Sequence, residues 1–261
     1  MDNLGAIGGP LVAIALVGLI GVRSAILLSV IPGLLAAVAI VYAIRHTAKP
    51  TVREHQSIRL RVRPLLRGRL GGLLAAAAAF EIGNLAATLL ILRATDLLES
   101  GRSHTSAVQL ALVLYAGYNL AATLSSIPAG HVGDRRGMVR ILAAGAACFL
   151  LAYVGLAASG GSFVLLGICF VLAGIGIGCG ETAESAAVAL FAPDRLRGSA
   201  FGLLATIQAI GNLAASAIAG VLWTAVSPAA AFIYIAAWMG LALIALAIVA
   251  LQPRWASTAG D

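Results

Sequence analysis

Ala129-Gly130-His131-Val132-Gly133-Asp134-Arg135-Arg136-Gly137-Met138-Val139-Arg140 is a short basic stretch set between two long apolar runs, Ser106 to Ile127 and Val139 to Ala158. A run of ~20 apolar residues suffices to cross a hydrocarbon core of ~30 Å. The stretch therefore reads as a tight turn between two membrane spans. Gly130 and Gly137 suit helix ends that meet closely. Asp134 can cap a helix start and pair with Arg135 or Arg140.

Working outward from this turn, the same reading gives about eight spans along the chain. They run from about Leu4 to Val22, Ser24 to Ile44, Leu70 to Leu92, Ser106 to Ile127, Val139 to Ala158, Phe163 to Glu184, Ala200 to Thr224 and Ala229 to Leu251. Composition agrees. Of 261 residues, 61% are hydrophobic and 10% charged, and the mean hydropathy is +1.02. A soluble domain carries about a quarter charged residues, and a disordered chain is polar. The expected class is an all-α polytopic membrane protein. Its many small residues allow close helix packing in lipid.

The net charge of +7 needs no nucleic acid. With eight spans both termini lie on one side. Fourteen of the 17 Lys and Arg fall in the loops and tail of that side, eight of them between Arg45 and Arg69. Arg23, Arg93 and Arg102 fall on the other. The positive-inside rule then places both termini in the cytoplasm of a multi-pass inner (plasma) membrane protein. Residues 45–69 read as a basic cytoplasmic connector between two spans (1–44) and six (70–251), with 252–261 a cytoplasmic tail. Cys148, Cys169 and Cys179 sit inside apolar runs, with no metal-ligand or disulfide pattern. Met1-Asp2-Asn3 does not open a signal peptide.

Polar groups inside a bilayer are costly, and each is a functional candidate. Glu81 lies near mid-depth of the third span, with Asn84 on its face. Tyr115, Tyr118 and Asn119 reach a similar depth in the fourth span, and Gln208 and Asn212 in the seventh. Such convergence suits a substrate cavity at the midplane. A carboxyl in that setting, Glu81 above all, suits proton binding. Glu181 and Glu184 lie near the cytoplasmic end of the sixth span, where pairing with Arg195 and Arg197 is expected. Alternate glycines from Gly174 to Gly180 open two helix faces to close packing.

The stretch Gly130 to Gly137 resembles the G-x-x-x-D-R-x-G loop of the major facilitator superfamily. The resemblance extends to Glu81-Ile82-Gly83-Asn84 with Leu92-Arg93-Ala94, which is similar to the family's seventh helix. Tyr118-Asn119 to Pro128-Ala129-Gly130 resembles the eighth. Gly180-Glu181 to Glu184, with Pro193 to Gly198, resembles the tenth helix and the loop after it. Asp2 to Ala6 with Gly9-Pro10 looks like the start of the fifth. After Gly137, Met138 and Val139 replace the family's usual basic pair and leave Arg140. The resemblance implies a bundle with a complete C-terminal six-helix half and two helices of the N-terminal half, lacking the first four. It further implies that Gly130, Asp134, Arg135, Gly137 and Arg140 form a gating loop.

The expected function is secondary active transport of a small solute, with proton-coupled efflux of an amphipathic compound the first choice. Its partners are the solute, protons and the lipid bilayer, and no cofactor is expected. A second wall for the pathway would come from a missing N-terminal part or a second chain. The alternative is a transport-inactive fragment that acts by assembling with another membrane protein. An enzyme is disfavoured because no H-E-x-x-H occurs and His46, His55, His104 and His131 all lie outside the spans. An ATP-driven pump is excluded for this chain by the lack of a Walker-type Gly-x-x-x-x-Gly-Lys.

Overall fold

The computed structural model describes residues 2–46 and 68–251 apart from 194 and 195. The expected connector (from 47) and tail lie outside the described residues, as does Arg195. All the described secondary-structure elements are helices. α1 is Asp2–His46, α2 Gly68–Ile82, α3 Ala87–Leu98, α4 His104–Arg136, α5 Met138–Ala158, α6 Phe163–Phe191, α7 Arg197–Ala225 and α8 Pro228–Leu251. Among the described residues, seven helical segments are long and apolar enough to cross a membrane, with α2 and α3 together forming one of them. The first expected crossing, Leu4 to Val22, is not one of the seven. Its backbone belongs to α1, which bends at Gly21 (φ 77°, ψ 164°), and Arg23–Tyr42 beyond the bend is long and apolar enough to span on its own.

α6 is the central helix, and its glycines explain why. A Cβ on Gly174 or Gly178 would meet the carbonyl oxygens of Tyr118 and Ala122 on α4. Two residues round the helix, one on Gly176 would meet the Phe149 ring on α5, and one on Gly180 the Phe80 ring on α2. The two small-residue faces thus seat α4 on one side and α5 and α2 on the other. Around this core α8 packs on α5 and α2, α7 on α2 and α8, and α1 on α4. An aromatic chain, Phe80–Phe149–Tyr153–Phe232–Trp223, fills the interior with centroid separations of 5.7, 5.3, 6.1 and 6.0 Å. The outward faces carry exposed Leu, Ile and Val, as a lipid-facing surface requires.

The stretch from Ala129 to Arg140 folds differently from a loop. α4 has 33 residues, which is about 50 Å at 1.5 Å per residue. It outruns the hydrocarbon core and continues through Asp134 and Arg136 before it stops. The turn is Gly137 alone, at φ 95°, ψ 134°, and α5 starts at the next residue. Asp134 does not cap α5, whose start has no side-chain cap. No ion pair among the described residues joins Asp134 to Arg135 or Arg140, and all three are exposed. On a continuous helix Asp134 projects sideways, one turn short of the α5 amides.

Candidate functional site

The expected third span is interrupted. Helix α2 ends at Ile82, residues 83–86 are unwound, and α3 resumes at Ala87. Non-helical backbone at membrane depth survives only where protein buries it or where it lines a cavity. Both conditions hold here. The Leu85 N–H donates to the Tyr153 hydroxyl at 3.3 Å, and Tyr153 is wholly buried. Gly83 packs against Met239 on α8. At the far end of the segment Arg93 Nε donates to the Leu156 carbonyl at 3.3 Å and ties α3 to the end of α5.

Removing the hydroxyl that holds the break should be measurable. Tyr153→Phe strands a buried amide at a cost of about 1 kcal/mol, the low end for a lost partner because the bond is long. A lower thermal midpoint of the purified protein is expected, and an unchanged midpoint would show that the bond carries no weight.

Beside the break lies a cavity of about 210 Å³, lined by Phe80, Glu81, Asn84, Ile177, Glu181, Gln208 and Asn212. Glu81 is 4% exposed. Its Oε2 accepts from Asn84 Nδ2 at 3.2 Å and from Asn212 Nδ2 at 2.9 Å. Gly211 makes the second contact possible, since a Cβ there would stand 2.6 Å from the Glu81 Cβ. Four residues expected at one depth, Glu81, Asn84, Gln208 and Asn212, therefore line one cavity wall.

The other expectations turn out otherwise. Glu184 is 1% exposed, and its Oε2 accepts from Gln208 Nε2 at 2.8 Å. Its carboxyl also lies within electrostatic range of Glu81. It does not pair with Arg197, which donates to the Ala189 carbonyl at 3.0 Å. The physical reason is length. α6 runs seven residues beyond Glu184 to Phe191, so this carboxyl sits two turns inside the bundle. Glu181 opens onto the cavity. Asn119 turns back along α4 and donates to its own Tyr115 carbonyl at 2.9 Å. Tyr115 and Tyr118 stack on each other at 5.6 Å and are not among the lining residues. Tyr118 does lie within electrostatic range of Glu181. Phe80 and Ile177 are indistinguishable from core in the sequence, because apolar wall residues look alike; their placement one residue before Glu81 and one turn before Glu181 is the available signal.

A helical bundle that crosses the membrane several times, with a polar cavity beside a broken helix, is the architecture of a membrane transporter. Among the described residues, no group of three or more His, Cys, Asp or Glu is placed to hold a metal ion. Residues 73–259 match the family model of the Major Facilitator Superfamily, and the chain belongs to that family. It is similar to an uncharacterized MFS-type transporter of Methanocaldococcus jannaschii, with 31% identity over 159 residues. That match covers 60% of this chain and 39% of the relative, so the chain spans about two fifths of the relative's length. The family is one of transporters, not enzymes.

Proposed function

We propose that this protein carries out proton-coupled transport of a small solute, in the efflux direction, with Glu81 binding the proton. In this reading residues 70–251 are the C-terminal six-helix half, and residues 1–44 contribute two helices of the other half. Alternating access then moves one half against the other around a central site. The observation that carries the reading is the carboxyl of Glu81, buried beside an unwound membrane segment and open to a cavity. The neutral amides of Asn84 and Asn212 donate to it. A charge so placed is stabilised far less than by a guanidinium, and binding a proton relieves it.

The test is flux in proteoliposomes bearing a pH gradient, with radiolabelled benzyltrimethylammonium, phenylmethanesulfonate and benzyl alcohol as permanently cationic, permanently anionic and neutral probes. Movement of a charged probe that collapses with the gradient is expected. Transport of none of the three, with the gradient intact, would defeat the reading.

Orientation follows from the charge bias and has its own test. Ser162, exposed in the turn before α6, should become accessible to a membrane-impermeant maleimide from outside the cell when replaced by cysteine. The native thiols lie within the helices, with Cys169 buried. Labelling only after the membrane is opened would reverse the topology.

A further inference from the structure

A second cavity, of about 570 Å³, opens where α4 begins and is lined by Arg102, Ser103, Ser106, Gln109, Leu110 and Val113. None of these residues lines the cavity around Glu81. The lining changes character along α4. Arg102, Ser103 and Ser106 are exposed, at the edge where the apolar run starts. Leu110 and Val113 follow four and seven residues after Ser106, about 6 and 10.5 Å deeper at 1.5 Å per residue. A polar rim above an apolar floor, at the end of a span, matches the headgroup boundary of a bilayer.

The rim carries a positive charge that the fold leaves uncompensated. Arg102 Nη1 donates to the Leu98 carbonyl at 3.3 Å. Glu99, the nearest acid in sequence, turns instead to His104 Nδ1 at 3.3 Å. No ion pair among the described residues includes Arg102, and no Asp or Glu is among the described lining residues. Ser103 Oγ and Ser106 Oγ share one hydrogen bond of 2.9 Å, which leaves one hydroxyl hydrogen over. Gln109 is half-buried, and its amide has no hydrogen-bond partner among the described residues. Its Nε2 lies beside α1, where a Cβ on Gly18 would come within 2.9 Å. Guanidinium, amide and hydroxyl are all donors, so the rim suits an anion rich in acceptor oxygens. The floor suits hydrocarbon.

We propose that this cavity binds an anionic phospholipid of the surrounding bilayer, with its phosphodiester at Arg102 and an acyl chain along Leu110 and Val113. A phosphodiester supplies the missing negative charge, and a guanidinium meets its oxygens with paired N–H donors. At about 30 Å³ per water, 570 Å³ equals roughly nineteen waters, room for a phosphate head and the first carbons of a chain. A lipid of net negative charge is preferred to a zwitterionic one, whose own cation would face Arg102. The lipid lies against Gln109, where α1 meets α4, so its binding braces that contact. This site is separate from the cavity around Glu81, and the proposal does not rest on the transport reading. In the orientation that the charge bias favours, it draws lipid from the outer leaflet.

Native mass spectrometry of the purified, delipidated full chain in dodecyl maltoside tests this. The probes are dioleoylphosphatidylglycerol, dioleoylphosphatidylcholine and glycerophosphate. The first phosphatidylglycerol should bind about fivefold or more tighter than phosphatidylcholine, the effect of one cation at the membrane surface. Glycerophosphate, which has the phosphate but no chains, should bind at least about tenfold more weakly than phosphatidylglycerol. Arg102→Gln should remove the preference for the anionic lipid. Val113→Trp keeps the charge but fills the apolar floor, and should weaken phosphatidylglycerol about fivefold or more. Arg136→Gln removes the same charge from the other end of α4 and should keep the full preference. All three altered side chains are exposed, so each variant should elute as the parent protein does. Equal binding of the two lipids, an unaltered preference in Arg102→Gln, or unaltered affinity in Val113→Trp would overturn the proposal. Glycerophosphate binding as tight as that of the lipid would also overturn it, and would leave a site for soluble phosphates.

Discussion

Glu81→Gln should reduce gradient-driven flux to the level of empty vesicles, the largest functional loss expected of any single change. The amide is nearly isosteric with the carboxyl and still offers an oxygen to Asn84 Nδ2 and Asn212 Nδ2, which now stand 3.2 and 2.9 Å from Oε2. The bonds weaken from charged to neutral, a change of about 1 kcal/mol each. Nothing larger is lost structurally, because Gly211 continues to admit the side chain's stem. What disappears is the capacity to bind a proton. Flux in the variant should also become insensitive to pH, whereas in the parent protein it follows the gradient. Thermal unfolding of the variant serves as the control. A stable Glu81→Gln protein with undiminished, gradient-dependent flux would move the coupling role to Glu184 or Glu181.

The largest structural loss is expected at the α4–α6 contact. A side chain at Gly178 has its Cβ inside the space of the Ala122 carbonyl oxygen and Ser125 Oγ, and one at Gly174 meets the Tyr118 carbonyl. Backbone oxygens in a helix cannot rotate aside, so the helices must separate. Overpacking of this kind costs about 1–3 kcal/mol per site, and the two sites lie on one face of one interface. The double variant Gly174→Ala/Gly178→Ala should lose roughly 3 kcal/mol or more and elute largely as aggregate. Gly220→Ala on α7, where nothing stands within 4 Å, should unfold at the same temperature or slightly higher. Equal behaviour of the two would mean that α4 and α6 are not held by close backbone approach.

Much of this is legible in the sequence, for reasons that can be named. Span positions follow from the thickness of the bilayer, a constraint with few solutions. Glu81, Asn84, Gln208 and Asn212 could be brought to one level because helix rise converts residue number into depth. The break at 83–86 was not legible. Gly83-Asn84 is compatible with a continuous helix, and only the Tyr153 hydroxyl, 68 positions away in sequence, shows how the freed amide of Leu85 is satisfied. Glu184 was misdirected for a related reason. Nearness in sequence favoured Arg195 and Arg197, while the fold supplied Gln208 from the next helix. Asp134 looks like a turn residue in the sequence because the apolar run ends before it. A helix that emerges into water needs no apolar residues to continue.

The unwound stretch between α2 and α3 also decides where this bundle yields. An intact helix resists bending because several rungs of its hydrogen-bond ladder must be stretched together. Here Gly83 and Asn84 still bond back to α2, but the ladder lapses at Leu85, which is moored from outside by one long bond to a hydroxyl. Tilting α3 against α2 therefore asks little of the backbone. The joint lies within five residues of the cavity's central acid, so whatever occupies that acid sits at the fulcrum.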